Sequence, residues 1–281
     1  MITPSASTLG APGTPLPVVL GWFTDVQFPG IELRLATGEP ADPELDVAGR
    51  RALRNTIGAA GMEVTSIASY VRVSAAGDVE PVIAELIHAI DFARDLGAAM
   101  VRVFPGAETM PASFTTSPAL LDSVVEVDER AARRLTAVAG YAESLGVLPV
   151  LETHDSHPSG ADIARILQRV EGNVGAVWDL LHPWRVGETL AETWKSLGPW
   201  LASDQCTVQV KDAALPASVP VLLGEGNLPL EDFAHLLISR KYQGVLTLEW
   251  EKAWYPEARP LDMALKSTRT WLDRHWRGEE K

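Results

Sequence analysis

The sequence predicts a (β/α)8 TIM barrel, because strand-like and helix-like segments alternate along most of its 281 residues. Short apolar runs that alternate with amphipathic segments are typical of parallel strands covered by helices. About eight such units over roughly 250 residues fit a closed barrel, and a doubly wound open sheet is the alternative. Polar residues at the ends of four apolar runs favour the barrel, because barrel active sites collect residues from many strand ends.

Eight apolar runs are the predicted strands, and they cover residues 18–24, 31–35, 64–70, 100–104, 148–154, 176–181, 207–211 and 245–250. Helical segments lie between most of them, and one helical face is formed by Ile83, Leu86, Ile87 and Ile90. Glycine often ends a helix, and here glycines precede several predicted strands, at Gly61, Gly97, Gly146, Gly172 and Gly244.

The first barrel unit is irregular in this prediction. Only residues 25–30 separate the first two predicted strands, whereas a parallel crossover needs about a dozen residues or more. Either the first helix is missing or shortened, or the first strand lies elsewhere. Residues 1–16, rich in Pro, Ser, Thr and Gly, are predicted to be a flexible lead-in, and residues 17–281 a single barrel domain. The stretch 106–118 is a predicted long loop over the barrel mouth.

Composition narrows the classes of partner. The chain has 24 Lys plus Arg against 37 Asp plus Glu, and its formal net charge of −13 disfavours nucleic acid. Cys206 is the only cysteine, which excludes an internal disulfide and a cysteine-based zinc site and suits a reducing cytosol. No long apolar run or signal-peptide layout is present, so we expect a cytoplasmic protein without a membrane partner. The expected partner is a small-molecule carbohydrate or polyol-ketone, and homo-oligomerisation stays open.

Four predicted strands carry, at or near their C-terminal ends, residues of types that can bind divalent cations. These residues are Glu152, Asp179, Gln209 and Glu249. Buried parallel strands are nearly all apolar, so four polar ends require a common explanation, and the simplest is one metal-centred site. Three carboxylates and one amide oxygen form an all-oxygen set, which suits Mg²⁺ or Mn²⁺ better than Zn²⁺.

Other polar residues extend this site. Strand residues two apart share a face, and such pairs are Glu152 with His154, Gln209 with Lys211, and Glu249 with Glu251. The second residue of each pair would lie one layer nearer the substrate. His154 and His182 are candidates for substrate contact or proton transfer, and the candidate substrate-binding residues are Lys211, Arg185, Trp184 and Glu251. His157 is either a simple turn residue or a further functional histidine.

The segments GIELR, LETHD, WDLLHPWRVGE, VQVKDA, GEG and LEWEKAWYPE resemble the xylose-isomerase-like TIM-barrel superfamily of sugar and sugar-phosphate isomerases and epimerases. The resemblance runs from about residue 30 to residue 256. It implies that Glu152, Asp179, the position of Gln209, and Glu249 hold a metal. The family usually places histidine where this chain has Gln209, which ligates more weakly through its carbonyl oxygen. The resemblance also implies that His154 and His182 contact substrate or move protons.

Three functions follow from this site. The first is a metal-dependent isomerase or epimerase of a sugar or sugar-like hydroxy-ketone, in which Glu152 and Glu249 exchange a proton on opposite faces of the substrate through an enediolate. The second is a dehydratase of the inosose or dehydroshikimate type, in which His154 removes the proton and a β-hydroxyl leaves. The third is a non-catalytic sugar-binding barrel, which the replacement of the usual histidine by Gln209 favours. An apurinic-site endonuclease is excluded by the net charge and by too few histidines for a multi-zinc cluster.

Overall fold

The computed structural model describes residues 2–107, 118–202 and 206–276. Within these ranges eight parallel strands close into a barrel in the order β1, β10, β7, β6, β5, β4, β3, β2. Their bounds are β1 Thr3–Ser7, β2 Gly30–Arg34, β3 Glu63–Arg72, β4 Met100–Phe104, β5 Leu148–Glu152, β6 Gly175–Asp179, β7 Thr207–Val210 and β10 Val245–Leu248. The short strands β8 Asp212–Ala214 and β9 Val219–Val221 pair as an antiparallel hairpin after β7. The predicted (β/α)8 barrel is confirmed.

Helices follow the strands around the outside of the barrel. They are α1 Leu16–Asp25, α2 Val47–Ala59, α3 Val79–Leu96, α4 Pro118–Ser144, α5 Gly160–Leu167, α6 Leu181–Arg185, α7 Leu190–Leu197, α8 Leu230–Ser239 and α9 Leu261–Trp276. Several begin at capping side chains; Asp46, for example, accepts a hydrogen bond from the amide of Gly49 over 2.7 Å. None of the helices in the described ranges has both the length and the apolar composition needed to cross a membrane.

The N-terminal prediction was wrong. Residues Thr3–Ser7, placed in a flexible lead-in, form β1, which pairs with β10 on one side and with β2 on the other. The predicted first strand, residues 18–24, lies in helix α1, where Val19, Leu20 and Phe23 face the core. The first helix is therefore present, and the boundary at residue 17 cuts through it. A short apolar run does not distinguish a strand from one buried helical face, which explains the error.

The remaining seven predicted strands overlap the strands of the barrel. Three of them run two residues past the observed C-terminal end, because β5 ends at Glu152, β6 at Asp179 and β10 at Leu248. His154 and Glu249 therefore lie just beyond these strands, and Glu251 lies in the loop that follows β10. Most of the predicted loop 106–118 lies outside the described residues.

Apolar side chains form two layers of core. The larger layer lies between the barrel and its helices, where Trp178 of β6 meets Phe233 of α8 edge to face at 5.0 Å between ring centroids. A smaller cluster comes from the barrel strands alone and consists of Met100, Leu148, Val150, Val177 and Val245. We call this smaller cluster the apolar floor. It fills the lower barrel and leaves the C-terminal strand ends for polar residues.

Candidate active site

Strand alternation points the polar strand ends into the barrel. In β5, Leu148 and Val150 share the face of Glu152, and in β6 Val177 shares the face of Asp179. The three apolar residues belong to the apolar floor. Both carboxylates therefore stand directly above the floor, at the end of the barrel where active sites of this fold form.

Three of the four predicted metal ligands bring carboxylate oxygens together. Glu152, Asp179 and Glu249 are buried, and one oxygen of each lies within 4.8 Å of the other two. Gln209 is buried beside them, and its amide nitrogen donates to Glu249 Oε1 over 3.4 Å. Within the described residues, Glu152 Oε1 and the amide oxygen of Gln209 have no hydrogen-bond partner, whereas Glu152 Oε2 forms an ion pair with Arg102 Nε at 3.2 Å. Buried oxygens without partners are costly, so this donor set fits a bound cation.

Burial governs the charge of these carboxyl groups. It raises the pKa of Asp179 to about 7, although Lys211 pulls it in the opposite direction. It also raises the pKa of Glu152 well above its usual value, against the opposing effect of Arg102. At Glu249 burial acts in the same sense, but Lys211 and then Arg102 outweigh it and lower the pKa. Full ionisation of this cluster therefore needs more positive charge than the two basic side chains supply.

Lys211 lies among acidic groups. Its Nζ is 2.8 Å from Asp179 Oδ2 and 2.7 Å from Glu251 Oε1, and it also contacts Glu249 Oε2. Burial alone would lower the pKa of Lys211, but the three carboxylates raise it well above its usual value. Lys211 and Glu251, both predicted to bind substrate, thus contact each other, and Lys211 neutralises part of the acidic cluster.

Two further buried ionisable residues lie on other strands of the barrel, Arg102 on β4 and Glu32 on β2. Arg102 Nε of β4 lies 3.2 Å from Glu152 Oε2, and its guanidinium is 4.0 Å from the centroid of the Phe104 ring. Glu32 of β2 is fully buried, and burial raises its pKa to about 7 against the field of Arg102. Glu32 was not among the predicted site residues, although a glutamate inside the apolar run GIELR is the same kind of signal as the polar strand ends.

Two histidines stand side by side next to the carboxylates. The rings of His154 and His182 have centroids 4.5 Å apart, and ring nitrogens of both lie within 4.8 Å of a Glu152 oxygen. His182 Nε2 is 3.5 Å from Asp179 Oδ2. Burial lowers the pKa of His182 well below its usual value, so this ring is neutral at neutral pH. The side chain of His154 is 27% exposed, which makes it the more accessible of the two.

A sequence profile described as xylose isomerase-like TIM barrel matches residues 23–275. This chain belongs to the xylose isomerase-like TIM barrel family. The closed barrel and the acidic cluster at its C-terminal end agree with that membership. No curated protein matches the chain with significant sequence similarity.

Solved structures of similar fold include proteins with different reactions. The probable 3-DHS dehydratase AsbF from Bacillus anthracis superposes with a TM-score of 0.75 at 17% identity, covering 95% of this chain and 98% of its own. D-psicose 3-epimerase from Clostridium cellulolyticum H10, with D-tagatose, gives a TM-score of 0.74 at 14% identity, covering 98% of both chains. IolI, which carries a zinc atom, gives 0.73 at 16% identity, covering 98% of this chain and 99% of its own. At these identities the likeness shows a shared fold.

In this family member an arc of rings lines one side of the barrel mouth. Phe104 lies 4.3 Å from His154 and 6.0 Å from Tyr70, measured between ring centroids. Arg34 Nε donates to the hydroxyl of Tyr70 over 2.7 Å, and its guanidinium is 4.8 Å from the ring of Trp254. We call these five residues the aromatic arc. Trp254 is 55% exposed, so the arc presents an open apolar surface at its outer end.

Two other predicted substrate-binding residues lie on helix α6, which follows β6. Trp184 is half-buried and packs against the main core. Arg185 forms no hydrogen bond or ion pair within the described residues, and its charge helps to lower the pKa of His182. Arg185 therefore lies near the histidine pair, and its contact with substrate stays a prediction.

Proposed function

We propose that this family member is a metal-dependent isomerase or epimerase of a sugar or sugar-like hydroxy-ketone, acting by proton abstraction next to a carbonyl. One observation carries the proposal: buried carboxylates at the ends of β5 and β6 and just after β10 each bring an oxygen within 4.8 Å of the other two, beside two histidines. Clustered buried carboxylates are unfavourable unless a cation or a proton neutralises them, so a site without a chemical role would have no physical need for them.

Glu152, Asp179 and Glu249 would hold the cation, with the amide oxygen of Gln209 as a fourth ligand. The buried oxygens Glu152 Oε1 and Gln209 Oε1, which lack hydrogen-bond partners among the described residues, support this set, and an all-oxygen set favours Mg²⁺ or Mn²⁺ over Zn²⁺. When bound, the cation polarises the substrate carbonyl and stabilises negative charge on its oxygen.

The side chains around the cation would transfer the proton and bind the substrate hydroxyls. Glu249 is kept ionised by Lys211, so one of its oxygens can accept the proton next to the carbonyl. Glu152 would exchange the proton on the other face of the substrate. His182 is neutral and can donate to, or accept from, a substrate hydroxyl. The aromatic arc lines one side of the mouth.

A dehydratase is the second candidate, and the exposure of His154 favours it. The side chain of His154 is 27% exposed, whereas that of Glu152 is fully buried. In this reaction a ring nitrogen of His154 accepts the proton next to the carbonyl. The C–H electrons then form a C=C bond as the β C–O bond breaks, and the hydroxyl leaves as water after taking up a proton.

Proton exchange in D₂O tests both candidates. The protein is incubated with Mg²⁺ or Mn²⁺ and a panel of ketoses, inososes and dehydroshikimate, and NMR follows deuterium uptake at the carbon next to the carbonyl. We expect uptake with at least one compound, and its product separates epimerisation from dehydration. The Glu249→Gln variant should lose uptake while keeping its melting temperature. No uptake with any compound, together with no metal retained after dialysis, would support the non-catalytic sugar-binding barrel instead.

The expected small-molecule substrate, the cytoplasmic location and the lack of nucleic-acid and membrane partners remain part of this proposal. They rest on the formal net charge of −13 and on the composition of the chain.

A further inference from the structure

The loop after β5 is closed by backbone hydrogen bonds in both directions. The amide of His154 donates to the carbonyl of His157 over 3.1 Å, and the amide of His157 donates to the carbonyl of His154 over 2.9 Å. Asp155 lies between them with φ of 47°, in the left-handed region that few non-glycine residues adopt. The path of the backbone at His154 therefore depends on whatever holds His157 in place.

His157 is fully buried, and both of its ring nitrogens have partners. Nε2 lies 3.0 Å from Asp128 Oδ1, and Nδ1 lies 2.8 Å from Ser156 Oγ. Ser156 Oγ also accepts a hydrogen bond from the amide of Ala107 over 3.0 Å, so its own hydrogen can point to Nδ1. The network thus assigns the ring proton of His157 to Nε2, which donates to Asp128.

Asp128 anchors this histidine to two helices. It lies on α4, and its Oδ2 accepts a hydrogen bond from Arg165 Nε of α5 over 2.9 Å. Burial would raise the pKa of Asp128, but its hydrogen bonds with His157 and Arg165 outweigh this effect and lower it. The buried carboxylate is therefore ionised, and it holds His157 by a charge-assisted hydrogen bond.

The side chain of His154 has few polar contacts of its own. Its Nδ1 lies 2.8 Å from Asp155 Oδ1, whose backbone conformation belongs to the same closed turn. Its other described contacts are the rings of Phe104 at 4.3 Å and His182 at 4.5 Å. The turn held by His157 therefore restrains where the His154 ring lies, together with its packing on Phe104 and His182.

We propose that His157, held between Asp128 and Ser156, is a positioning residue that sets His154 against Phe104 and His182 for proton transfer. The link to catalysis rests on the dehydratase candidate of the proposed function, in which a ring nitrogen of His154 accepts the substrate proton. His157 itself is fully buried and touches no substrate. A histidine that only stabilised the fold would not act through His154, and this difference can be measured.

Two substitutions distinguish the effect of the size of the His157 side chain from the effect of its hydrogen bonds. His157→Leu fills the same space without polar atoms, whereas His157→Gln keeps an amide N–H that can donate to Asp128. Long-range ¹H–¹⁵N NMR of the metal-free protein should show His157 as the Nε2–H tautomer. The His154 ring signals should shift in His157→Leu and stay close to wild type in His157→Gln. Unchanged His154 signals in His157→Leu would overturn the proposal, whether or not the protein catalyses exchange.

A double-mutant cycle tests the catalytic consequence. We expect His157→Leu to lower kcat of the exchange reaction about tenfold, with KM and Mg²⁺ affinity within about twofold of wild type. In a His154→Ala background the same substitution should cause no further loss, because its effect passes through His154. An equal loss in both backgrounds would mean a purely structural role and would overturn the proposal.

Other outcomes also have a defined meaning. If His157→Leu fails to fold, Ser156→Ala takes its place in the NMR comparison and the cycle; it removes the contact at Nδ1 together with the bond from the Ala107 amide, and keeps the contact of Nε2 with Asp128. If His154→Ala abolishes exchange, the NMR comparison alone decides the positioning. A wild-type protein that shows no exchange contradicts the proposed function, while the His154 signals still decide what His157 does.

Discussion

Among the proposed metal ligands, Gln209 is the one that differs from the histidine implied by the sequence resemblance. An amide oxygen is a neutral, hard ligand, whereas the histidine implied at this position by the sequence resemblance is a stronger donor for Zn²⁺. The structure places Gln209 beside Glu249, with its amide nitrogen donating to Glu249 and its oxygen without a partner in the described residues. As a proposed ligand, Gln209 would supply a neutral oxygen, which favours hard cations.

We expect Gln209→His to shift the preference of the site toward Zn²⁺ without increasing its affinity for Mg²⁺. Imidazole suits Zn²⁺ and binds Mg²⁺ poorly, so Zn²⁺ should bind at least about tenfold tighter in the variant, while Mg²⁺ binds no tighter than in wild type. Isothermal titration calorimetry with both ions measures this change. Gln209→Leu is the control, since it removes the oxygen and should weaken both ions. Equal affinities for Zn²⁺ in all three proteins would show that residue 209 lies outside the metal's ligand set.

At the scale of the elements, β1 shows where the sequence signal is weakest. The sequence TPSAS has few residues that favour strands, and its small polar side chains resemble a linker. Ser5 and Ser7 are nevertheless buried, because β1 is paired on both sides and completes the barrel. Such a strand is specified by its neighbours in space rather than by its own residues.

Deletion of residues 1–10 tests whether this N-terminal segment is a strand of the barrel or a dispensable lead-in. Without β1, the backbone groups of β2 and β10 that face it would be left unpaired, and the barrel would be open. We expect the truncated protein to be insoluble or to lack a cooperative thermal transition, as measured by soluble yield and circular dichroism. The triple substitution of Pro12, Thr14 and Pro15 to alanine, which leaves β1 intact, should remain soluble and cooperative. A truncated protein that melts like wild type would contradict the pairing of β1.

For the molecule as a whole, sequence periodicity predicted which residues share one face of a strand. It did not predict contacts between residues of different strands. Glu152 and Asp179 could be assigned to the barrel interior because apolar residues two positions earlier share their face. The three contacts of Lys211 join different strands and the loop after β10, so no local pattern contains them. Arg102 likewise pairs with Glu152 on the neighbouring strand, a relation that only barrel closure and register reveal.

The buried carboxyl groups predict how the stability of the whole protein depends on pH. The folded pKa values of Glu32 and Asp179 are about 7, above the usual value of a carboxyl in an unfolded chain, and that of Glu152 is also raised. Between pH 6.5 and 8.5 the folded protein therefore binds more protons at these groups than the unfolded chain. Its free energy of unfolding falls as pH rises, by roughly 1 kcal/mol for each group with a pKa near 7.

A bound divalent cation should reverse most of this loss, because it replaces the protons of its ligands. We expect Mg²⁺ to raise the free energy of unfolding more at pH 8.5 than at pH 6.5, reaching about 2.7 kcal/mol when its concentration is 100 times Kd. Urea unfolding with Mg²⁺ or with EDTA at both pH values measures the effect. Asp179→Asn should abolish the response to Mg²⁺. Glu32→Gln should keep that response and remove about 1 kcal/mol of the pH dependence, because Glu32 lies outside the proposed ligand set. Equal stabilisation by Mg²⁺ at the two pH values would mean that protons and the cation do not compete for the same oxygens.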